Sequence, residues 1–212
     1  MAITFPRTDI MSFCAYTPSA VPLRLVVRQE LSSREASGKT YGKDFGDPLW
    51  MGSWTTIPLI NDDAVAFEAM LNSLDGVINL FEGRDLRKPY PRFYPTGSFG
   101  DTSKINSIGS NNKSLSLKNL DASFKLAVGD YLAFNVGTHR ALHQVMEAVT
   151  TNGSGVTTEF EVRPHLWPGT ATDAAVTLKQ PSALFSLNPG SIQPQMNGGL
   201  YTAISFEATQ AW

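Results

Sequence analysis

One cysteine, three histidines and a charged fraction of 17% set the first limits on this 212-residue chain. Cys14 stands alone, so no disulfide can form within the chain. It reads as a small, buried or half-buried apolar side chain, because nothing near it in sequence supplies the base or electropositive setting that activates a thiol. His139 and His143 lie four apart, and His165 is remote. On a helix such a pair could hold zinc, but His-Arg-Ala-Leu-His lacks the glutamate that follows the first histidine of a zincin helix. On a strand the two share a face at about 13 Å, too far apart for one metal. All three are expected at polar surface positions, with no metal and no cofactor. The net charge of −2 leaves no basic stripe, so no nucleic-acid contact is expected. No apolar run approaches the ~20 residues of a membrane helix. The start, Met1 to Arg7, has neither the charged leader nor the apolar core of a secretory signal. A soluble chain from a reducing compartment, without membrane contact, is the expectation.

Catalytic signatures are equally scarce. There is no Gly-x-Ser-x-Gly elbow, no Walker loop and no dinucleotide fingerprint. Asp62-Asp63 reads as electrostatics at a helix start. Glu159 and Glu161 share one strand face opposite Phe160 and Val162, the polar-out pattern of a half-buried sheet. A glycosidase needs two carboxylates across a cleft, and no pair is nominated. Arg84, Arg87, Lys88 and Arg92 run beside Tyr90, Phe93 and Tyr94. Basic plus aromatic can bind single strands, but in an acidic, proline-bearing context an interface loop fits better. No catalytic, cofactor-binding or metal residue emerges.

What is present is β structure. Apolar residues make up 42%, enough for a core, and 17 glycines and 13 prolines suit short strands and tight turns. A low charged fraction, against the ~25% of ordinary domains, fits a chain that buries surface against neighbours. Strands are expected at 23–31, 49–58, 77–81, 114–120, 131–134, 156–162, 174–178, 183–187 and 200–208. The spacing at 140–149 also fits a helix through Leu142, Val145, Met146 and Val149; short length and flanking turns favour strand, which is taken here. Trp50 and Trp54 read as core or interface packing. One helix is expected over 62–75, capped by Asn61 or Asp62, striped by Phe67, Met70, Leu71 and Leu74, and ended by Asp75-Gly76. Residues 1–20 read as an extended arm or edge strand, 32–47 as a long polar hairpin loop, 86–95 as irregular, 97–112 as a boundary loop and 189–199 as a Pro/Gly loop. The final strand is expected to return to the first half, making the middle an insertion: 1–97 with 188–212 as one β domain, and 98–187 as an inserted outer one.

In this order the segments resemble a known family. The early strands, the Asp-led helix with Leu71-Asn72-Ser73-Leu74-Asp75-Gly76, and the Phe81 strand followed by Arg87-Lys88-Pro89 resemble tail-tip proteins of long-tailed phages. Leu126-Ala127-Val128-Gly129-Asp130-Tyr131, then Gly155-Val156-Thr157-Thr158-Glu159-Phe160, then Val162-Arg163-Pro164-His165-Leu166 is similar to the same group, above all to the distal tail proteins of siphophages and gene transfer agents. The likeness runs from about residue 23 to 207 through segment order and short phrases; the first twenty residues and the 32–47 loop have no counterpart. It implies a mainly β fold: a tail-tube-like β-sandwich or barrel with one flanking α-helix, plus a second, inserted small β domain. It implies a ring of copies, commonly a hexamer, that joins the tail tube protein to the baseplate hub protein, with other tail-tip proteins nearby. The place would be the virion tail tip, after assembly in the bacterial cytoplasm. It implies no enzymatic activity and carries over no individual site residue. A carbohydrate- or receptor-binding tail component, presenting aromatics such as Trp167 and Trp212, is the alternative; a hydrolase is the weaker rival.

Overall fold

The structure is a computed structural model and describes residues 3–15, 23–31, 38 and 40–212. The expected arm at 1–20 and loop at 32–47 fall partly outside these residues. In chain order the elements are a 3-10 turn (Ile10–Ser12), β1 (Cys14–Ala15), β2 (Leu23–Leu31), β3 (Gly42–Thr56), β4 (Leu59–Ile60), α1 (Asn61–Asn72), β5 (Phe81–Arg84), β6 (Lys104–Ile108) and β7 (Ser114–Lys118). There follow β8 (Lys125–Leu126), β9 (Tyr131–Val136), β10 (His139–Val145), β11 (Val149–Thr150), β12 (Phe160–Arg163), β13 (Val176–Thr177), β14 (Ser182–Leu187), β15 (Gln193–Asn197) and β16 (Tyr201–Gln210). The chain is mainly β, and α1 is the one α-helix among the described residues.

The first sheet runs β1-β3-β16-β14-β5, with β2 beside β3 and both β4 and β15 beside β16. Its strands alternate as a half-buried sheet demands: Trp50, Trp54 and Thr56 of β3, and Ile204, Phe206 and Ala208 of β16, point inward. The N-terminal segment nearly closes this sheet on itself. Arg7 pairs with β5, its N–H donating to Leu80 O at 3.0 Å and its carbonyl accepting from Glu82 N–H at 2.8 Å. A few residues later β1 pairs with the end of β3.

The Trp54 indole fills the middle. It meets Phe81 and Phe185 edge-on at 5.9 and 5.1 Å and stacks on Phe206 at 5.8 Å. Its Nε1–H donates to Arg84 O at 2.9 Å, so the one polar atom of the ring is satisfied in the core. Gly52 makes room for it: a Cβ there would run into the indole. Phe67 and Leu71 of α1, and Leu74 in the turn just beyond it, are fully buried over this cluster.

Several local expectations are corrected. The residue capping α1 is Ile60, without a side-chain cap; the Asn61 side chain instead accepts from Thr202 Oγ1 and donates to Gly199 O. The helix stops at Asn72, short of 75, and Asp75 and Gly76 adopt left-handed φ of 51° and 68° in the turns that follow. That turn leaves Val77 and Ile78 exposed and starts the strand only at Phe81, so 77–81 is not a buried strand. An apolar run alone does not tell strand from a loop that presents its side chains. Residues 42–47 belong to β3, not to a loop, because β2 pairs with them out to Leu31 and Gly42. Residues 193–197 form β15 despite the surrounding prolines and glycines, since Pro194 lies on an edge strand, where a missing N–H is tolerated.

The chain leaves the first sheet after β5 and returns at β14. Between them lies a second unit, ordered β13-β9-β10-β12-β7-β6 with a small β8-β11 pair. It also closes: Ile105 N–H donates to Ala174 O, and Val176 N–H donates to Ser103 O, joining β6 to the segment entering β13. The boundary loop expected at 97–112 therefore contains β6. The strand expected at 156–162 begins only at Phe160, because the Thr157 hydroxyl takes the Leu117 N–H and displaces a ladder bond. Residues 140–149 are strand over His139–Val145. β14 pairs with β5 and β16, so 182–187 lies in the first sheet and not in the inserted unit. β16 pairs with β3, so the last strand returns to the first half of the chain.

β9 and β10 form a wall shared by both cores. Tyr131, Ala133 and Leu142 face the first; Leu132, Phe134, Val136, Ala141 and Val145 face the second. The keystone role of Trp54 is directly measurable. Trp54→Ala is expected to lower unfolding free energy by about 3–5 kcal/mol, and Gly52→Val, which forces a side chain into the indole, by about 1–3 kcal/mol. Urea unfolding followed by circular dichroism reads both; near-neutral values would remove the indole as the centre of the core.

Candidate functional site

The residues singled out for chemistry do not converge. His165 is exposed, His139 is half-buried at 5.3 Å from Trp212, and His143 is completely buried. The surface position expected for His143 is thus corrected: on β10 both faces are covered, so the polar-out rule has no face to act on. Its ring stacks on Phe134 at 5.0 Å, and Nδ1–H donates to Pro164 O at 2.9 Å. Nε2 finds no partner. Cys14 is half-buried, and burial pushes its thiol up to about 12. Asp62 and Asp63 stand exposed in the first turn of α1. Glu161 pairs with Arg163 at 2.8 Å, and Glu159 accepts from Ser107 and Ser114 at 3.4 and 3.5 Å. Among the described residues no three His, Cys, Asp or Glu side chains are placed to share a metal, and no helix is long and apolar enough to cross a membrane.

The basic run, read above as an interface loop, lies between the two β units. It straps the two β units together. Arg87 grips the buried Asp85 at 2.7 Å, and Lys88 reaches the fully buried Asp130 at 2.9 Å. Asp130 also accepts from Arg92 N–H at 3.0 Å and Ala127 N–H at 2.8 Å. The Tyr131 hydroxyl donates to Asp85 at 3.3 Å, and its pKa is raised by burial and then by the charge of that carboxylate. Trp50 completes the junction: Nε1–H donates to Leu142 O at 2.8 Å, and the indole meets Tyr131 edge-on at 5.6 Å. Nothing in the sequence marks Asp85 and Asp130 as structural residues. Asp130 sits in a Val-Gly-Asp turn, and only the tertiary fold brings cations to it.

Two features stand out on the surface. The first is the β2–β3 arm. Beyond Leu25 and Trp50 its two strands pair only with one another among the described residues, and from Val27 to Leu31 and from Gly42 to Asp47 it is exposed. It carries Val27, Leu31, Tyr41 and Phe45 as exposed apolar side chains, with Lys43 lying over the Phe45 ring. A groove of about 510 Å³ separates the base of the arm from Arg163 and His165 of the second unit. The second feature, at the opposite end of the β3–β16 ladder, is an apolar patch of Ile60, Val65, Met196, Leu200 and Tyr201. Of the two tryptophans expected at the surface, Trp167 is 2% exposed and Trp212, packed on it at 4.3 Å, is 52% exposed.

His143 makes the fold sensitive to acid. Its folded pKa is lowered to about 4 by burial, against 6.5 ordinarily. Between those values the unfolded chain binds a proton that the folded chain refuses. Stability therefore falls as pH drops from about 6.5 toward 4 and levels off below, a loss on the order of 3 kcal/mol. Urea midpoints measured across this window should drop more steeply for the natural chain than for His143→Phe; identical slopes would remove His143 as the cause.

No protein-family model matches the chain, and no curated protein matches it in sequence.

Proposed function

We propose that this chain is a structural virion component, a distal tail ring that joins the tail tube to the baseplate hub of a long-tailed phage. The observation that carries the reading is the β2–β3 arm. A two-stranded ribbon exposed on both faces is at best marginally stable alone, and this one bears apolar side chains that the described residues leave in water. Such an arm gains most of its order by lying on another surface. The outer edges of β2 and β15 are also unpaired among the described residues, and edges of this kind can be covered by the next subunit. A ring needs two different patches that fit each other, one on each side of the subunit. The arm and the patch at the far end of the ladder are two such surfaces.

The resemblance supplies the rest of the proposal: a ring that is commonly a hexamer, a tail tube protein on one side, a hub protein on the other, and no catalytic role. The buried charges at the basic strap support a connector, since they fix the geometry between the two units. The carbohydrate-binding alternative has less support, because one of its two aromatics, Trp167, is inside the second core.

Light scattering and electron microscopy of the purified full chain test the proposal: closed rings are expected, and a monomer at all concentrations overturns it. Arm removal is the sharper version. Arg28 and Gly46 are partners across the arm, so replacing residues 29–45 with Asn-Gly closes the hairpin at that point. The shortened chain should unfold within a few tenths of a kcal/mol of the natural one and fail to form rings. Normal rings from it would count against the arm.

A further inference from the structure

The β2–β3 arm is interrupted at one level. Its base is regular from Leu23 opposite Gly52 to Val26 opposite Leu49, and its outer part is regular from Gln29 opposite Asp44 to Leu31 opposite Gly42. Between them Arg28 faces Gly46, while Val27 on β2 and Phe45, Asp47 and Pro48 on β3 have no opposite number in the ribbon. The two register shifts are bulges, which break a ladder and bend the strand that carries them. Pro48 has no N–H to give to a ladder, and Gly46 weakens a strand interior. Two regular pieces of ribbon are thus joined by a short irregular one. We infer that this joint is a hinge, and that the arm swings on it to close the groove at its own base against Arg163 and His165.

The groove of about 510 Å³ has two unlike walls. The arm supplies Val27, Gln29, Asp44 and Asp47, and the second unit supplies Arg163 and His165. One wall therefore carries two carboxylates and no cation, and the other a guanidinium and an imidazole. Asp47 and His165 have no hydrogen-bond or ion-pair partner among the described residues. Asp44 holds the Gln29 side chain at 2.6 Å. Of the five donors of the Arg163 guanidinium, Glu161 and Val162 O take two. Walls of opposite charge attract across the gap, and closure also covers Val27, which is 50% exposed. The described, exposed part of the arm is net acidic, with Glu30, Asp44 and Asp47 against Arg28 and Lys43, and a basic wall suits it.

The second wall is fixed. Arg163 pairs with Gln144 of β10, and Pro164 O takes the Nδ1–H of the buried His143. The base of the arm is fixed as well, through the Trp50 indole and its bond to Leu142 O. Motion is therefore confined to the arm beyond the joint. Ion pairs at a surface add only modest stability, so closure is reversible and the charges on the two walls set its balance. The arm stands open in this structure. Closure happens within one chain and needs no ring.

Disulfide trapping in the full chain tests the hinge. In a Cys14→Ala background, Val27→Cys and His165→Cys put one thiol on each wall and leave Asp44, Asp47 and Arg163 in place. Each single-cysteine chain, reacted with glutathione disulfide, gives the intrinsic rate of its own thiol, against which bridging is scaled. An internal disulfide is expected, running as a monomer on a non-reducing gel, with an effective thiol concentration of millimolar or above. Salt at about 0.5 M should slow the scaled rate several-fold, because it screens the wall charges. Asp44→Lys with Asp47→Lys should slow it at least as much, and adding Arg163→Glu should restore it; circular dichroism confirms that each variant folds, and the salt series needs no further substitution. No bridge, linked dimers in its place, or bridging indifferent to salt and to charge reversal overturns the hinge.

Discussion

A carboxylate with no exposed surface, Asp130, holds the two β units in one relative position. Its oxygens take hydrogens from Ala127 in its own turn and from Lys88 and Arg92 in the strap. The neighbouring residue, Tyr131, reaches the strap's own buried carboxylate, Asp85. The junction is thus reciprocal, with each side supplying one buried anion. Removing a charge from water costs several kcal/mol, and only a full set of well-placed donors offsets that. A slightly rotated arrangement would leave one of these anions unpaired at high cost. The bonds therefore act against alternative orientations more than they add to stability.

Both cores depend on this junction. β9 and β10 serve each of them with alternate side chains, so a shift of one residue in that wall would exchange a first-core residue such as Leu142 for His143. The Trp50 indole, bonded to Leu142 O, fixes the same register from the other side. Mainly β topology with covered faces follows from these few contacts, and the second unit closes through β6 so that it presents few free edges.

How much of this was legible beforehand depended on whether the signal was local. The β3 and β16 alternations and the α1 stripe announce themselves because each buries one face against one core. β15 did not, since edge strands tolerate the proline that normally argues against strand. Residues 156–159 failed the other way: their β-branched composition is right, but a threonine hydroxyl replaces the ladder. Residue type alone puts His143 at the surface, where polar residues usually sit, and only the sandwiching of β10 between two cores reverses that. The candidate site was half legible. The arm was visible as a long polar loop, though its paired stem was not, and the patch at the other end joins segments 60–65 and 196–201, which sequence reading does not bring together.

The distribution of exposed apolar side chains separates the two units further than their topology does. Large apolar residues exposed on the first unit include Ile3, Val27, Leu31, Phe45, Ile60, Val65, Ile78, Met196 and Leu200. Between residues 85 and 181 only Phe93 and Val128 are of this kind. Scattered apolar residues need no explanation, but clusters at the two ends of one ladder do. Water penalises them in an isolated chain, and covering them by neighbours removes that penalty only if the neighbours arrive in a fixed orientation. In the proposed ring the first unit supplies the adhesive surfaces and the second faces outward with a polar exterior. In that ring the low overall charge also has a reason, because a surface covered by neighbours would gain little from lysine and glutamate.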